Sequence, residues 1–223
     1  MIEELANGLL LLAGRPRHVI NAYLVGDVLV DAATRQARRR ILRQLHGRPV
    51  RAHALTHVHP DHQGASHAVC AGLGLPLWVG EEDADAMENA EVMAERDGGG
   101  AATLLQRMLW RGPPHPVARR LRDGDEVAGF EVLATPGHTR GHIALWRESD
   151  RTLIAGDVFF NLHPLTGRPG LHAPPDAFNE DSARNRESMR RLAALEPAVV
   201  CFGHGPPLRD PAALRSFAEV LPG

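Results

Sequence analysis

Cysteine is nearly absent: Cys70 and Cys201 alone occur in 223 residues, too few and too far apart to frame a disulfide scaffold. Two free thiols in a reducing compartment are expected, and the cytoplasm is the expected location. Long hydrophobic runs are missing too. The apolar run at 9–13 follows Glu3 and Glu4 rather than positive charge, and it is too short for a signal core or a membrane span. No charge of one sign dominates. With 25 Lys and Arg against 27 Asp and Glu, the formal net charge of -2 gives no electrostatic reason to expect nucleic acid or a membrane surface as partner. A small-molecule substrate is the remaining expectation. There is no Gly-x-Ser-x-Gly elbow to supply a serine nucleophile. Neither a fixed-period repeat nor a low-complexity segment is present, and the 43% hydrophobic and 23% charged content is that of an ordinary globular chain, read as one domain over 1–223.

What is abundant is histidine, with 13 residues. Three of them and a carboxylate crowd into Thr56-His57-Val58-His59-Pro60-Asp61-His62, just after the apolar β-like segment 51–55. Neutral imidazole nitrogen and carboxylate oxygen are the usual non-thiolate ligands of zinc. In extended backbone His57 and His59 point the same way and Val58 points away, so two rings can grip one ion. Pro60 cannot continue a strand ladder, so Asp61 and His62 are turned toward a second point in space.

The first third reads as strands over 8–13, 19–25 and 28–31, an Arg-rich helix, then a strand over 51–56. The Arg-rich stretch 35–43 alternates with Ile41, Leu42 and Leu45 at helical spacing, which reads as a solvated helix face rather than a phosphate-binding patch. Helix is expected over 63–71, strand over 76–79, and helix over 81–96 until Asp97-Gly98-Gly99-Gly100 breaks it. A further helix over 103–110 completes a helical excursion at about 81–116, a cover over a site. Its Met93, Leu104, Leu105, Met108, Leu109 and Trp110 sit at helical spacing and read as packing against the core rather than as an acyl pocket. Strands follow over 126–134, 142–147 and 152–155, then helix over 183–195, strand over 198–202 and a last helix over 211–220.

Three more polar points stand at ends of apolar strands, each in or after a Gly turn that allows close approach to an ion: His138 in Thr-Pro-Gly-His, Asp157 in Ala-Gly-Asp and His204 in Phe-Gly-His-Gly. The set His57-x-His59-x-Asp61-His62, His138, Asp157 and His204 resembles the metallo-β-lactamase superfamily in order and spacing over nearly the whole chain. The resemblance implies an α/β (α+β in some schemes) fold, a four-layer αβ/βα sandwich with a two-metal centre in the cleft between two sheets. It implies two Zn²⁺ per chain, with Fe or Mn as possible occupants: His57, His59 and His138 on the first, Asp61, His62 and His204 on the second, and Asp157 bridging. Asp31, at a strand end, matches an acidic position that supports the metal loop from behind. His142 opens a strand and reads as structural, His163 and His172 face either water or substrate, and Cys201 reads as a buried inert thiol.

Two ions about 3.5 to 4 Å apart can share a water whose pKa falls from about 15.7 toward 7, giving a hydroxide nucleophile. Asp61 and Asp157 are the expected catalytic carboxylates, Asp61 as a proton shuttle. The expected reaction is hydrolysis of an ester-like bond, a thioester or other carboxylic ester, resembling the glyoxalase II-like branch. Departures within the family narrow this. Asp157 stands where class B β-lactamases carry Cys, and His59 where flavodiiron oxidoreductases carry Glu. Phe160 stands where well-known lactonases place a Tyr. No Gly-Cys-Gly-Arg/Lys stretch follows Asp157, so glutathione specificity does not carry over. The alternatives are a non-haem iron persulfide dioxygenase-like oxidoreductase and a non-catalytic metal- or ligand-binding module.

Overall fold

Several strands of this chain are apolar and buried at every position, the pattern of sheets covered on both faces. The computed structural model describes residues 2–96 and 101–222. A first sheet of seven strands runs in chain order: β1 (Glu3–Ala6), β2 (Leu9–Leu12), β3 (Ala22–Val25) and β4 (Val28–Val30) form an antiparallel meander. β5 (Ala52–Leu55), β6 (Leu77–Gly80) and β7 (Val117–Leu121) then add in parallel. Between them lie α1 (Arg38–Leu45), α2 (Pro60–Gln63), α3 (Ser66–Leu73), α4 (Glu81–Glu88), α5 (Ala90–Arg96) and α6 (Ala101–Trp110). The second sheet contains β8 (Glu126–Val127), β9 (Phe130–Ala134), β10 (Ile143–Arg147) and β11 (Thr152–Gly156). A small hairpin of β12 (Phe160–Leu162) and β13 (Pro169–His172) and the helix α7 (Ser182–Ala193) precede β14 (Val199–Phe202), which joins β11 in parallel. The helix α8 (Pro211–Glu219) follows.

The two-residue period of each strand sorts its side chains into separate apolar layers. Leu24, Leu29, Leu55 and Leu77 face outward from the first sheet onto Ile41 of α1 and Val69 of α3. Their neighbours Tyr23, Val25, Val28, Val30 and Ala54 face inward and meet Phe130, Val132, Ile143, Leu145 and Ile154 of the second sheet. Ala144, Trp146, Leu153 and Val200 leave that sheet on its far side and pack on Met189 and Leu192 of α7 and Leu214 of α8. Three apolar layers between helix, sheet, sheet and helix make the αβ/βα sandwich that the resemblance implies. Leu29 is fully buried in the first layer. Truncating it to Ala is expected to cost about 2 to 5 kcal/mol, read as a lower midpoint in urea unfolding. A loss below about 1 kcal/mol would mean that the layer collapses around the gap.

Several sequence expectations are corrected. The strand expected over 19–25 begins only at Ala22, because Val19 and Asn21 turn to bond the loop after β14: Asn21 N–H donates to the Gly203 carbonyl at 2.9 Å. The strand expected over 126–134 is a hairpin, with Ala128 (φ 49°) and Gly129 (φ 80°) making its turn. β1 was not legible, and neither was the β12–β13 hairpin, whose Gly and Pro residues read as loop. The helix expected over 81–96 breaks at Asn89, whose side-chain oxygen accepts from Glu91 N–H at 2.8 Å. The Gly-rich break expected at 97–100 lies outside the described residues. Met93 packs in the core, but Leu104, Leu105, Met108 and Leu109 are 45 to 63% exposed, against the expectation that they pack inward. Among the described residues, no helix is long and apolar enough to cross a membrane.

Candidate metal centre

Five strand ends from both sheets open onto one edge of the sandwich. β4 leads into Asp31, β5 into Thr56 to His59, β9 into Thr135 to His138, β11 into Asp157 and β14 into Gly203 and His204. Stiff strands thereby hold residues that are remote in sequence within a few ångströms. The rings of His57, His59 and His138 form a near-equilateral triangle, with centroids 4.7, 4.8 and 4.5 Å apart. Asp61 and His62, on the one-turn helix α2, meet His204, whose Nε2 lies 3.3 Å from Asp61 Oδ2. Ligand atoms of these two triads, and of His57, His62 and Asp157, come close enough to hold a metal ion.

Asp157 joins the triads. Its Oδ2 lies 3.8 Å from His57 Nε2, 3.4 Å from His62 Nε2, 3.4 Å from His138 Nε2 and 3.2 Å from His204 Nε2. The Nε2 atoms of His57, His62 and His138, and Asp157 Oδ1, are buried and make no hydrogen bond. Orphaned polar atoms at such density are rare in a folded interior. Two ligand atoms each about 2.1 Å from a tetrahedral cation stand about 3.4 Å apart, so these spacings fit donors to a shared metal. The donor set of imidazole and carboxylate suits zinc, iron or manganese.

The other ring nitrogens fix the tautomers. His138 Nδ1 bonds Asn179 Oδ1 at 2.8 Å, His204 Nδ1 bonds the Val19 carbonyl at 2.5 Å, and His62 Nδ1 bonds Asp31 Oδ2 at 2.9 Å. Each acceptor requires Nδ1–H, which turns an Nε2 lone pair into the site. Asp31 reaches further. Its carboxylate also accepts from Thr56 N–H and from Thr56 Oγ1, and that hydroxyl in turn accepts from His57 Nδ1. One carboxylate thus orients a ring in each triad. Asp31 is itself held at φ 58°, a left-handed conformation in which Asp is one of the tolerated residues. Thr56 and Asn179 were not singled out from the sequence; Thr56 was visible beside His57, but nothing local marks Asn179.

His142 is structural, as its place at a strand start suggests. Its Nε2 accepts from Asp157 N–H at 3.1 Å and its Nδ1 donates to Thr135 Oγ1 at 2.8 Å, so it holds the backbone of Asp157. Burial, with His138 adding to it, keeps the ring neutral. His163 and His172 stand ring to ring at 5.2 Å on the β12–β13 hairpin, outside the ligand groups. Cys201 and Cys70 are buried free thiols pushed up to about 12 by burial.

Charge within the cluster is set by proximity. Burial and the neighbouring His138 lower His59 to about 3. Burial also opposes charge on His204, but Asp157 and Asp61 outweigh it and raise the ring to about 10; His62 is raised likewise by Asp157 and Asp31. Burial works against the Asp61 carboxylate, yet His204 and His62 hold it well below the usual range. Without metal, His204 and His62 therefore keep their protons at neutral pH. A divalent cation requires neutral rings, so loading at pH 7 is expected to release about two protons per chain, and apparent affinity to rise with pH. Titration calorimetry in buffers of different ionisation enthalpy reads the proton count; no release would overturn this charge state. For the metal-free fold the sign is opposite. The stabilising proton on His204 is fully present below its unfolded value of 6.5 and is lost as pH rises through about 10.

Residues 15–204 match the family model of the metallo-beta-lactamase superfamily. The chain belongs to that superfamily. Within the superfamily, it is 28% identical to the probable metallo-hydrolase YflN of Bacillus subtilis over 81% of this chain and 76% of that protein. It is 28% identical to a hydroxyacylglutathione hydrolase of Bdellovibrio bacteriovorus over 66% of this chain, but that match spans only 46% of the relative. Among superfamily structures, TTHA1429 of Thermus thermophilus superposes with a TM-score of 0.70 at 32% identity, covering 97% of this chain and 78% of that one. TTHA1623, solved in a di-iron-bound form, gives 0.64 at 32% identity over 89% and 92%.

Proposed function

We propose that this metallo-hydrolase is a zinc-dependent hydrolase of ester-like bonds, thioesters and other carboxylic esters, acting on a small-molecule substrate. The observation that carries the reading is the placement of Asp157 Oδ2 among four imidazole Nε2 atoms at 3.2 to 3.8 Å, with two ligand triads on either side. His57, His59 and His138 would hold one cation, Asp61, His62 and His204 the other, and Asp157 would lie between both. Two such cations, when bound, acidify a water from about 15.7 toward 7 and polarise a carbonyl. Asp61, with 18% of its side chain exposed, is the carboxylate of the cluster most open to solvent and substrate. As a carboxylate at the open side of the cluster, it can accept the proton of an attacking water and return it to the leaving group. Asp31 and Thr56 keep His62 and His57 from turning away. Phe160, 1% exposed with its ring 4.8 Å from that of His204, walls the site with apolar surface and offers no hydroxyl to a carbonyl oxygen. The hydroxyacylglutathione hydrolase relative supports the thioester class. We also assign a cytoplasmic location, supported by the two buried unpaired thiols.

The test is elemental analysis of the purified protein followed by assay on thioesters, lactones and phosphoesters with zinc, manganese and iron. Well under one metal equivalent per chain, or no turnover of any ester after zinc loading, would sink the reading. A second reading is an iron-dependent oxygenase acting on a persulfide; the di-iron form of TTHA1623 supports only its metal, since the same donor types suit iron. Oxygen uptake on a persulfide by the iron-loaded protein decides for it, and none decides against it.

A further inference from the structure

Many of the 25 arginines of this chain have carboxylate partners. Arg17, Arg51, Arg119, Arg120, Arg122, Arg140, Arg147, Arg151, Arg191 and Arg215 all form ion pairs. Arg35, Arg38 and Arg39 are exposed, and no ion pair or hydrogen bond of their side chains occurs among the described residues. They sit at i, i+3 and i+4, the spacing at which like charges on a helix face repel. The turn that opens α1 carries no acidic residue, and α1 itself has none in its first turn. Three solvated guanidinium groups thus crowd one face without a counter-charge beside them.

They also share a cavity. Arg35, Arg38 and Arg39 line a space of about 540 Å³ with Gly64, His67 and Pro113, a volume within the range of small-molecule sites. His67 presents its ring there with Nδ1 already engaged, 3.2 Å from His115 Nδ1, leaving Nε2 for another partner. None of the side chains of the His and Asp cluster lines this cavity. Gln36 reinforces the wall by donating to the Leu109 carbonyl of α6.

We propose that this cavity is a second ligand site, which binds the phosphate or diphosphate group of a phosphorylated ligand. A multiply charged oxyanion offers what three forked guanidinium groups need, several acceptor oxygens at one point. A monocarboxylate would leave donors idle. Residues 35–43 do form the solvated helix face expected from the sequence, and the proposal adds a ligand for three of its arginines.

The probe is inorganic pyrophosphate, titrated by calorimetry into the full chain, with phosphatidylglycerol vesicles in a parallel co-sedimentation arm. Because pyrophosphate also binds metal, each titration is repeated in His59→Ala, whose metal site is impaired. Saturable binding retained in His59→Ala and weakened about tenfold or more by Arg38→Gln with Arg39→Gln supports the site. Restoration by Arg38→Lys with Arg39→Lys, in part and with a stronger salt dependence, also supports it. Vesicle binding lost in the same Gln variant supports the same phosphate chemistry with a lipid headgroup as its source. Binding in neither arm overturns the proposal, and so does binding unchanged by the Gln variant or abolished by His59→Ala alone. Circular dichroism of each variant confirms that the exposed substitutions leave the fold intact.

Discussion

Asp157→Ala is expected to abolish tight metal binding and with it hydrolysis, while the sandwich stays folded. The substitution removes the one oxygen that stands 3.2 to 3.8 Å from four imidazole nitrogens. It also removes the negative charge that offsets the burial of His62 and His204. Changing a residue that merely orients a metal ligand typically costs 10- to 100-fold in affinity or activity. A residue shared between two triads is expected to cost more, at least about 100-fold in affinity at either position. Elemental analysis after dialysis measures the first consequence and turnover of a thioester the second. Retention of full metal content and activity would show that the two triads do not need a common carboxylate. A second measurement separates charge from coordination. In Asp157→Asn the amide can still accept at one oxygen but carries no charge, so His62 and His204 are expected to lose protons at lower pH than in the parent.

Gly203→Ala is expected to do nearly as much damage from a position that carries no side chain. A methyl on Gly203 would overlap Asp157 Oδ1 and stand 2.6 Å from His62 Cε1. Neither neighbour can yield. Asp157 is fixed through its own N–H by His142, and His62 is fixed by Asp31 at 2.9 Å. The backbone of Gly203 is pinned as well, since its N–H donates to the Gly156 carbonyl at 2.9 Å. Overpacking of this kind costs about 1 to 3 kcal/mol. The larger effect is chemical, because the carboxylate and a ring are displaced from positions where tenths of an ångström decide coordination. Loss of bound metal with a modest fall in Tm is the expected pair of readings. Gly72→Ala is the control. There a methyl meets only Leu42 methyls at 3.7 Å, inside α3, where replacing Gly stabilises a helix by about 0.5 to 1 kcal/mol. If Gly203→Ala kept its metal, the crowding at β14 would not govern the site.

The side chains of the cluster were legible as candidates because their signals are local. Alternation put His57 and His59 on one side, Pro60 turned the chain, and a Gly beside each of His138, Asp157 and His204 marked a strand end where the backbone comes close. The layers came from the resemblance rather than from local signals, and the structure agrees with them. Asp31 stood out by its place at a strand end. That it serves both triads, through His62 directly and through Thr56 to His57, depends on the alignment of β4 with β5 and cannot be seen along the chain.

Other features escaped because they are made by partners far apart in sequence. His138 is oriented by Asn179 and His204 by the carbonyl of Val19, 41 and 185 residues away. The β12–β13 hairpin looked like a Gly- and Pro-rich loop. The apolar face of α6 had the spacing of a core helix and is nonetheless exposed. Three arginines at helical spacing read the same whether water or a cavity lies beside them.

By itself, the sequence determined the donor types, their order and the strands that carry them, because hydrophobic period and turn chemistry act over a few residues. Only the tertiary structure decided that the seven side chains lie together, which ring nitrogens face that cluster, and which arginines go without a counter-charge. Those outcomes are set by how two sheets pack face to face, and that packing depends on contacts between residues more than a hundred positions apart.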